Sequence, residues 1–296
     1  MRRLACALTL ATCIGALGSC TGGASRFPRD DTLRLNQIQL RGTHNSYHPP
    51  LPPLDVQLDD GMRQLELDVF AAAGGRFSVH HSPTDPQSSC PQLAACLDVV
   101  RRWMDRHRQA GPLFLIIEDK DPVAPETARA LALDAAVRAG LGPRRLLTPD
   151  GVLPIRRGRW PTLANTRGRA LAVLIGPSAG PYSRDGTSLR GRAMFVYDNA
   201  GPLAAITSRP DPLGQAAEIA AFVRAGLIVR TQADDGLLDV RRRPAAAASG
   251  AQLVSAADDL FRLPGGTAWR CDPLVAPPGC QPGDVERALK PTARGR

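Results

Sequence analysis

The chain has 296 residues, 43% of them hydrophobic and 22% charged, which is enough to bury one large α/β barrel or two average domains and argues against disorder. The formal net charge of +9 calls for an acidic partner, yet the arginines are scattered and aromatic residues are only 4% of the chain. A base-stacking surface is thereby excluded, and nucleic acid with it, whereas an anionic phospholipid surface suits a basic protein.

In chain order, Arg2 and Arg3 precede an apolar stretch from Leu4 to about Leu17. This reads as an export signal, too short to span a bilayer. Its end, Leu17-Gly18-Ser19-Cys20, resembles the lipobox of bacterial lipoproteins, with Cys20 as the lipidated residue; the alternative is an ordinary signal in which Cys20 has no role. The expected organisation is a signal over 1–20, a polar tether over 21–34 and one domain over 35–296, exported as a cell-surface lipoprotein or a secreted or periplasmic monomer. No further segment reads as transmembrane.

Strand and helix patterns then alternate. Ile38 to Gly42 is a short apolar strand, Leu54 to Gly61 a short helix, and Gln64 to Phe70 a strand. Pro91 opens a helix to Arg108 with Leu93, Leu97, Val100 and Met104 on one stripe. Leu113 to Ile117 is a continuous apolar run of the buried parallel type. Pro125 to Gly140 is a helix. A weak strand is expected around Leu146, and further strands at Leu171 to Ile175, Met194 to Tyr197, Leu227 to Val229 and Gln252 to Val254. Helices are expected over Gly214 to Arg224 and roughly Leu237 to Ala248. About eight strands alternating with helices predict a TIM-type (β/α)8 barrel; the open doubly wound alternative lacks a G-x-G-x-x-G after its first strand.

Outside the signal, Cys90, Cys96, Cys271 and Cys280 form an even set for an oxidising compartment. Three connectivities exist; the two close pairs favour Cys90–Cys96 and Cys271–Cys280. Neither spacing is the C-x2-C of zinc sites.

Chemistry-bearing residues gather at the ends of the early strands. The first strand runs into Gly42-Thr43-His44-Asn45-Ser46-Tyr47-His48, the second carries Glu66 and Asp68, His81 follows, and the third ends in Glu118-Asp119-Lys120. Residues two apart on a strand share a side, so Glu66 and Asp68 both face inward, where they need a positive partner. With Asn45 and Glu118 they form an all-oxygen set suited to a hard cation such as calcium or magnesium. His44 and His81 supply an acid and a base, as cleavage of a phosphodiester requires. Taken singly, each residue has a plainer reading: His48 and His107 as solvated histidines, Glu66 paired with Arg63 or Arg41, and Arg241-Arg242-Arg243 as a solvated helix face.

The run from Gln39 to His48 resembles the opening motif of calcium-dependent phosphatidylinositol-specific phospholipases C of bacteria and fungi. Gly61 to Val69 resembles that family's second motif, and Val79-His80-His81 and Glu118-Asp119-Lys120 its later ones. The resemblance implies a PLC-like phosphodiesterase barrel acting on phospholipid at a membrane surface. It implies His44 and His81 as catalytic histidines, with Asn45, Glu66, Asp68 and Glu118 holding one Ca2+. It implies Lys120 and Arg230 as contacts to phosphate or inositol, and a cyclic inositol phosphate as first product. By this resemblance His44 stabilises the phosphorus oxyanion and His81 protonates the leaving group; position alone leaves open whether His44 or a carboxylate takes the hydroxyl proton. Gln232 and the run Ser255-Ala256-Ala257-Asp258 depart from the family pattern and bear on the headgroup. The alternatives are a phosphodiesterase for a soluble glycerophosphodiester, or a silent surface lipoprotein used for binding.

Overall fold

A computed structural model describes residues 27–121, 127–153, 159–234 and 239–287. The expected signal and Cys20 lie outside these residues, as do 21–26 of the tether, the start of the helix expected at Pro125 and that expected at Leu237. The strands are β1 Ile38–Thr43, β2 Gln64–Ala72, β3 Arg76–Val79, β4 Leu113–Asp119, β5 Ala170–Ile175, β6 Met194–Val196, β7 Ile206–Ser208, β8 Ile228–Gln232, β9 Leu253–Ala256 and β10 Trp269–Cys271. The helices are α1 Leu54–Asp59, α2 Leu93–Arg106, α3 Thr127–Leu141, α4 Pro149–Val152, α5 Ala179–Tyr182, α6 Ala216–Arg224, α7 Arg242–Ala248 and α8 Pro282–Val285.

Eight strands pair in parallel in the order β6-β5-β4-β2-β1-β9-β8-β7. A parallel bridge between Tyr197 and Ile206 joins the two ends, so the sheet is a nearly closed TIM-type barrel. β3 folds back antiparallel on β2, and β10 lies antiparallel on β1.

Register explains why the strands are apolar on both faces. Leu65, Leu67 and Val69 of β2 sit level with Leu115, Ile117 and Asp119 of β4, and the leucines, isoleucine and valine face outward against the helices. There they meet Leu93, Leu97, Val100 and Met104, the stripe read from the sequence, together with Leu133 and Val137 of α3. The alternate positions point inward. At the base of the barrel these are Leu40, Phe114, Ile116, Leu171, Val173, Phe195, Ile206, Ile228 and Leu253, which pack into a second core. Nearer the C-terminal ends of the same strands the inward positions become Glu66, Asp68, Glu118 and Arg230. Truncating a filler of either core to alanine costs about 2–5 kcal/mol.

Several expectations need correction. Leu146 makes only an isolated bridge to Ala170, because Pro149 follows at once and turns the chain into α4. The eighth barrel strand is instead β7, three residues long and closed off by Arg209-Pro210, too short to leave a period. No helix separates β6 from β7, which departs from a strict (β/α)8 alternation. α2 begins at Leu93 rather than Pro91, because Pro91 accepts a hydrogen bond from Val79 N (3.1 Å) and Gln92 bridges Ser78, drawing this stretch alongside β3. The arginine run is not a free face. Arg242 is buried and pairs with Asp211 at 3.0 Å, and Arg243 spans Asp234 and Asp258.

From Phe27 onward the stretch expected as a tether packs on the barrel. Phe27 and Leu33 are buried, and the Arg167 guanidinium lies 3.6 Å over the Phe27 ring while pairing with Asp30. The structure joins Cys90 to Cys96 and Cys271 to Cys280, with Cα–Cα distances of 5.3 and 6.0 Å. No described helix is long and apolar enough to cross a membrane.

Candidate active site

The site is built by the segment that leaves β1. Gly42 lies beside Gln64 of β2, and a Cβ there would fall 2.5 Å from the Gln64 Cβ, so only glycine lets the two strands approach. Thr43 donates to Gln57 Oε1 (2.7 Å), and Gln57 Nε2 donates to the Ser46 carbonyl (2.6 Å). Ser46 closes the turn onto β2: its N–H donates to the Glu66 carbonyl (3.0 Å), and its hydroxyl accepts from Glu66 N (2.8 Å). His44 N donates to Ala256 O of β9 (2.9 Å). Asn45, at the bend, takes the left-handed backbone (φ 49°), which asparagine tolerates better than most residues. Gly42, Thr43 and Ser46, with Gln57, thus deliver His44 and Asn45 to the barrel mouth.

Glu66, Asp68 and Glu118 converge there, each offering a carboxylate oxygen within 4.8 Å of the others. Asp68 and Glu118 are direct register partners across β2 and β4. Glu66 and Asp68 are almost completely buried, Glu118 half-buried. Burial pushes the Glu66 and Glu118 carboxyls above the usual carboxylate range, and the neighbouring carboxylates push the same way. Two cations oppose this. Arg230 donates from Nη2 to Glu66 Oε2 and from Nε to Ser255 Oγ (3.3 Å), and Lys120 Nζ lies 2.8 Å from Asp68 Oδ2. Desolvation disfavours charge on both, but their carboxylate partners outweigh it and hold them above their ordinary ranges. With every carboxyl ionised, three carboxylates against two cations would leave one net negative charge in a pocket of oxygen donors.

That donor set fits a hard cation, which prefers several oxygens and no thiolate. Asn45 adds to it. Its amide stands beside Asp68, with 3.2 and 3.3 Å to the two carboxylate oxygens for the nitrogen when turned inward; turned the other way, the amide oxygen becomes a fourth donor. The structure therefore brings Asn45, Glu66, Asp68 and Glu118 together. It also shows that Lys120 and Arg230 are engaged by these carboxylates.

The two histidines flank the cluster. His44 Nε2 is 3.9 Å from Glu66 Oε1, and burial, then Arg230, hold its imidazole below the usual range. His81 Nδ1 is 3.5 Å from Asp68 Oδ2 and 3.3 Å from Asn45 Nδ2. Its neighbour His80 turns away, stacking on Phe70 at 4.2 Å, so His81 is the histidine of this pair that faces the carboxylates. His48 and His107 are not simply solvated: His48 pairs with Asp85, and His107 stacks on Trp103 at 4.3 Å. Nor does Glu66 meet Arg63 or Arg41, which bind Glu286 and Asp60.

The sequence reading missed Tyr197 and Asp85, and took Ser255 only as part of a departure from the family pattern. Tyr197 is half-buried with its hydroxyl shielded from solvent near Arg230 and Glu66, and burial pushes that hydroxyl up to about 12. Ser255 stands level with Gln232 across β8 and β9 and shares the inward side with Arg230, a parity that a register alignment of the two strands would have given.

The profile of the family described as phosphoinositide phospholipase C, Ca2+-dependent, matches residues 79–273, well over half of the chain. A calcium-dependent phosphoinositol-specific phospholipase C from a Gram-negative bacterium, Pseudomonas sp., superposes with a TM-score of 0.67 at 20% identity, covering 82% of this chain and 97% of that one. The myoinositol complex of the Pseudomonas enzyme gives 0.65 at 21% identity over 82% and 97% of the two chains. A Ca2+-dependent phosphatidylinositol-specific phospholipase C from Streptomyces antibioticus gives 0.63 at 19% identity over 77% and 95%. No curated protein matches by sequence. At these identities the superpositions establish the fold.

Proposed function

The chain belongs to the Ca2+-dependent phosphoinositide phospholipase C family, and from that we propose an exported phosphodiesterase that cleaves phosphatidylinositol to diacylglycerol and a cyclic inositol phosphate. The observation that carries this reading is the barrel mouth itself, where an oxygen-only cluster is flanked by two histidines. In this proposal Asn45, Glu66, Asp68 and Glu118 hold one Ca2+, which when bound supplies charge neutralisation for the phosphate oxygens and acidifies the nearby hydroxyl. Arg230 and Lys120 keep the cluster from carrying three uncompensated negative charges, and Lys120, the more exposed of the two, reaches the phosphate or inositol.

The inositol hydroxyl next to the phosphate-bearing carbon is the nucleophile, and tethering within one molecule favours its attack. Its proton leaves to a cluster carboxylate as the new O–P bond forms. Neutral His44 donates its N–H to a nonbridging phosphoryl oxygen. The P–O bond to glycerol breaks, and His81 gives its proton to the departing diacylglycerol oxygen.

A bilayer as the working surface is supported by the exposed apolar side chains. Among the described residues Val240 (84% exposed) and Leu260 (72%) are the most exposed large ones. Both lie in loops that follow β8 and β9, on the same end of the barrel as the carboxylates. Export rests on the N-terminal basic and apolar run, with Cys20 as the lipidated residue.

The test is turnover of a phosphodiester panel with added calcium or chelator, followed by phosphorus NMR. A cyclic phosphate from phosphatidylinositol is expected, and His81→Ala is expected to lose far less activity on a substrate with a very acidic leaving group than His44→Ala does. Direct appearance of the acyclic monoester, or preference for a soluble glycerophosphodiester, would overturn the reading.

A further inference from the structure

His81 carries the proton to the leaving group in the reading above, yet its side chain is 43% exposed. An exposed imidazole samples several rotamers unless something packs on it, and misplacement of an acid by an ångström can cost about 100-fold in rate. Among the described residues the one ring packed against His81 is that of His48, with centroids 5.9 Å apart and planes at 68°. His48 is itself fixed at two points. Its backbone N–H donates to Asn45 O (2.8 Å), which ties it to the turn carrying a cluster residue. Its ring Nε2 donates to Asp85 Oδ2 at 2.8 Å, since a carboxylate can only accept.

Asp85 belongs to the segment that carries His81. Ser82 and Asp85 exchange backbone hydrogen bonds (Ser82 N to Asp85 O, 3.3 Å; Asp85 N to Ser82 O, 3.1 Å), and the Ser82 hydroxyl accepts from Asp85 N at 3.1 Å. The His48–Asp85 contact thus joins the turn after β1 to the turn immediately after His81. The same side chain that makes this tie lies edge-on to the His81 ring.

We propose that His48 and Asp85 are positioning residues: together they hold the His81 imidazole over Asp68 in the orientation from which it protonates the leaving oxygen. This rests on the proposed role of His81. His48 acts only through His81, so its removal should matter only where His81 matters. A contact of this partly exposed kind contributes little to global stability; the signature lies in the rate.

The experiment measures kcat and KM of wild type, His48→Ala, Asp85→Ala, His81→Ala and His48→Ala/His81→Ala. The substrates are phosphatidylinositol in mixed micelles and an inositol phosphodiester with a nitrophenol leaving group, and thermal unfolding is followed for every protein. Expected for His48→Ala and Asp85→Ala is a roughly 10- to 100-fold fall in kcat on phosphatidylinositol with KM within about twofold. On the nitrophenyl ester the expected fall is under about threefold, because that leaving group needs no acid. In the His81→Ala background His48→Ala should bring no further loss, the non-additivity of two residues that act as one. Equal losses on both substrates, or a further loss in the His81→Ala background, would overturn the positioning role. If His81→Ala itself shows no dependence on the leaving group, the proposed function of His81 fails first. If His81→Ala shows it and His48→Ala does not, the inference about His48 fails alone.

Discussion

Removing Glu286 should destabilise the protein severely, although it lies far from the site in sequence and follows the last helix. Its carboxylate accepts two bonds from Arg63, Nε at 3.0 Å and Nη2 at 2.6 Å, and a third from Gly111 N at 3.0 Å. Arg63 is fully buried and Glu286 is 5% exposed, so water cannot replace either partner. The guanidinium also donates Nη1 to the Leu58 and Met62 carbonyls and lies between Trp103 (4.8 Å) and Trp269 (5.3 Å). Glu286→Ala leaves a buried cation with two unsatisfied donor groups and strips Gly111 of its acceptor, a loss of about 3–5 kcal/mol. For a barrel of this size that lowers Tm by roughly 10 °C. Asp98→Ala, which breaks exposed pairs with Arg101 and Arg102 on α2, is the control and should cost under about 1 kcal/mol. The double variant Arg63→Met/Glu286→Leu should recover part of the loss, but not all, because the Leu58 and Met62 carbonyls lose their donor. Urea and thermal unfolding of the three variants decide the matter. A loss for Glu286→Ala no larger than for Asp98→Ala would refute the reasoning, because it would mean that water reaches Arg63.

Calcium should stabilise as well as activate: at a hundredfold excess over Kd it adds about 2.7 kcal/mol, read as a rise in Tm that chelator reverses. Full turnover in excess chelator with no shift in Tm would remove the metal from the site. Cys271→Ser/Cys280→Ser should cost about 2–3 kcal/mol, and peptide mapping without reduction should recover Cys90 linked to Cys96 and Cys271 to Cys280. Asp272 gives a pH signature: burial pushes its carboxyl up to about 7, and Oδ2 has no hydrogen-bond partner among the described residues. Its folded pKa thus exceeds its ordinary value of 3.8, so the folded state favours the protonated form, and stability is lost progressively as pH rises from about 4 to about 7. Asp272→Asn should therefore raise stability at pH 8, by on the order of 3 kcal/mol, and leave it unchanged near pH 4; an equal effect at both would sink the account.

Where the sequence was informative, one residue type had one physical use. The period of Leu93, Leu97, Val100 and Met104 marks the buried face of α2 whatever its ends. The run Leu113 to Ile117 announced a strand buried on both sides. β3 and β10 escaped because antiparallel ribbons of three or four residues leave no period, and β10 is identified only by its pairing with β1. The arginines misled for a related reason. Composition counts charge but not partners, and Arg63, Arg230 and Arg242 are buried against Glu286, Glu66 and Asp211.

The site shows why its partners were harder to read than its core members. Glu66 and Asp68 could be placed on one side of β2 because strand parity is local. Glu118 followed because parallel neighbours share register. Arg230 comes from the far side of the barrel, 164 residues from the carboxylate it pairs with, and Ser255 is set by a neighbouring strand. Parity alone says that Arg230 faces inward; that it meets Glu66 depends on how far the barrel closes. The same holds for His48 and Asp85, which belong to turns, where spacing carries no direction. Local periodicity therefore yields the carboxylates that face a cation, whereas the groups that balance their charge and orient the histidines depend on closure of the barrel.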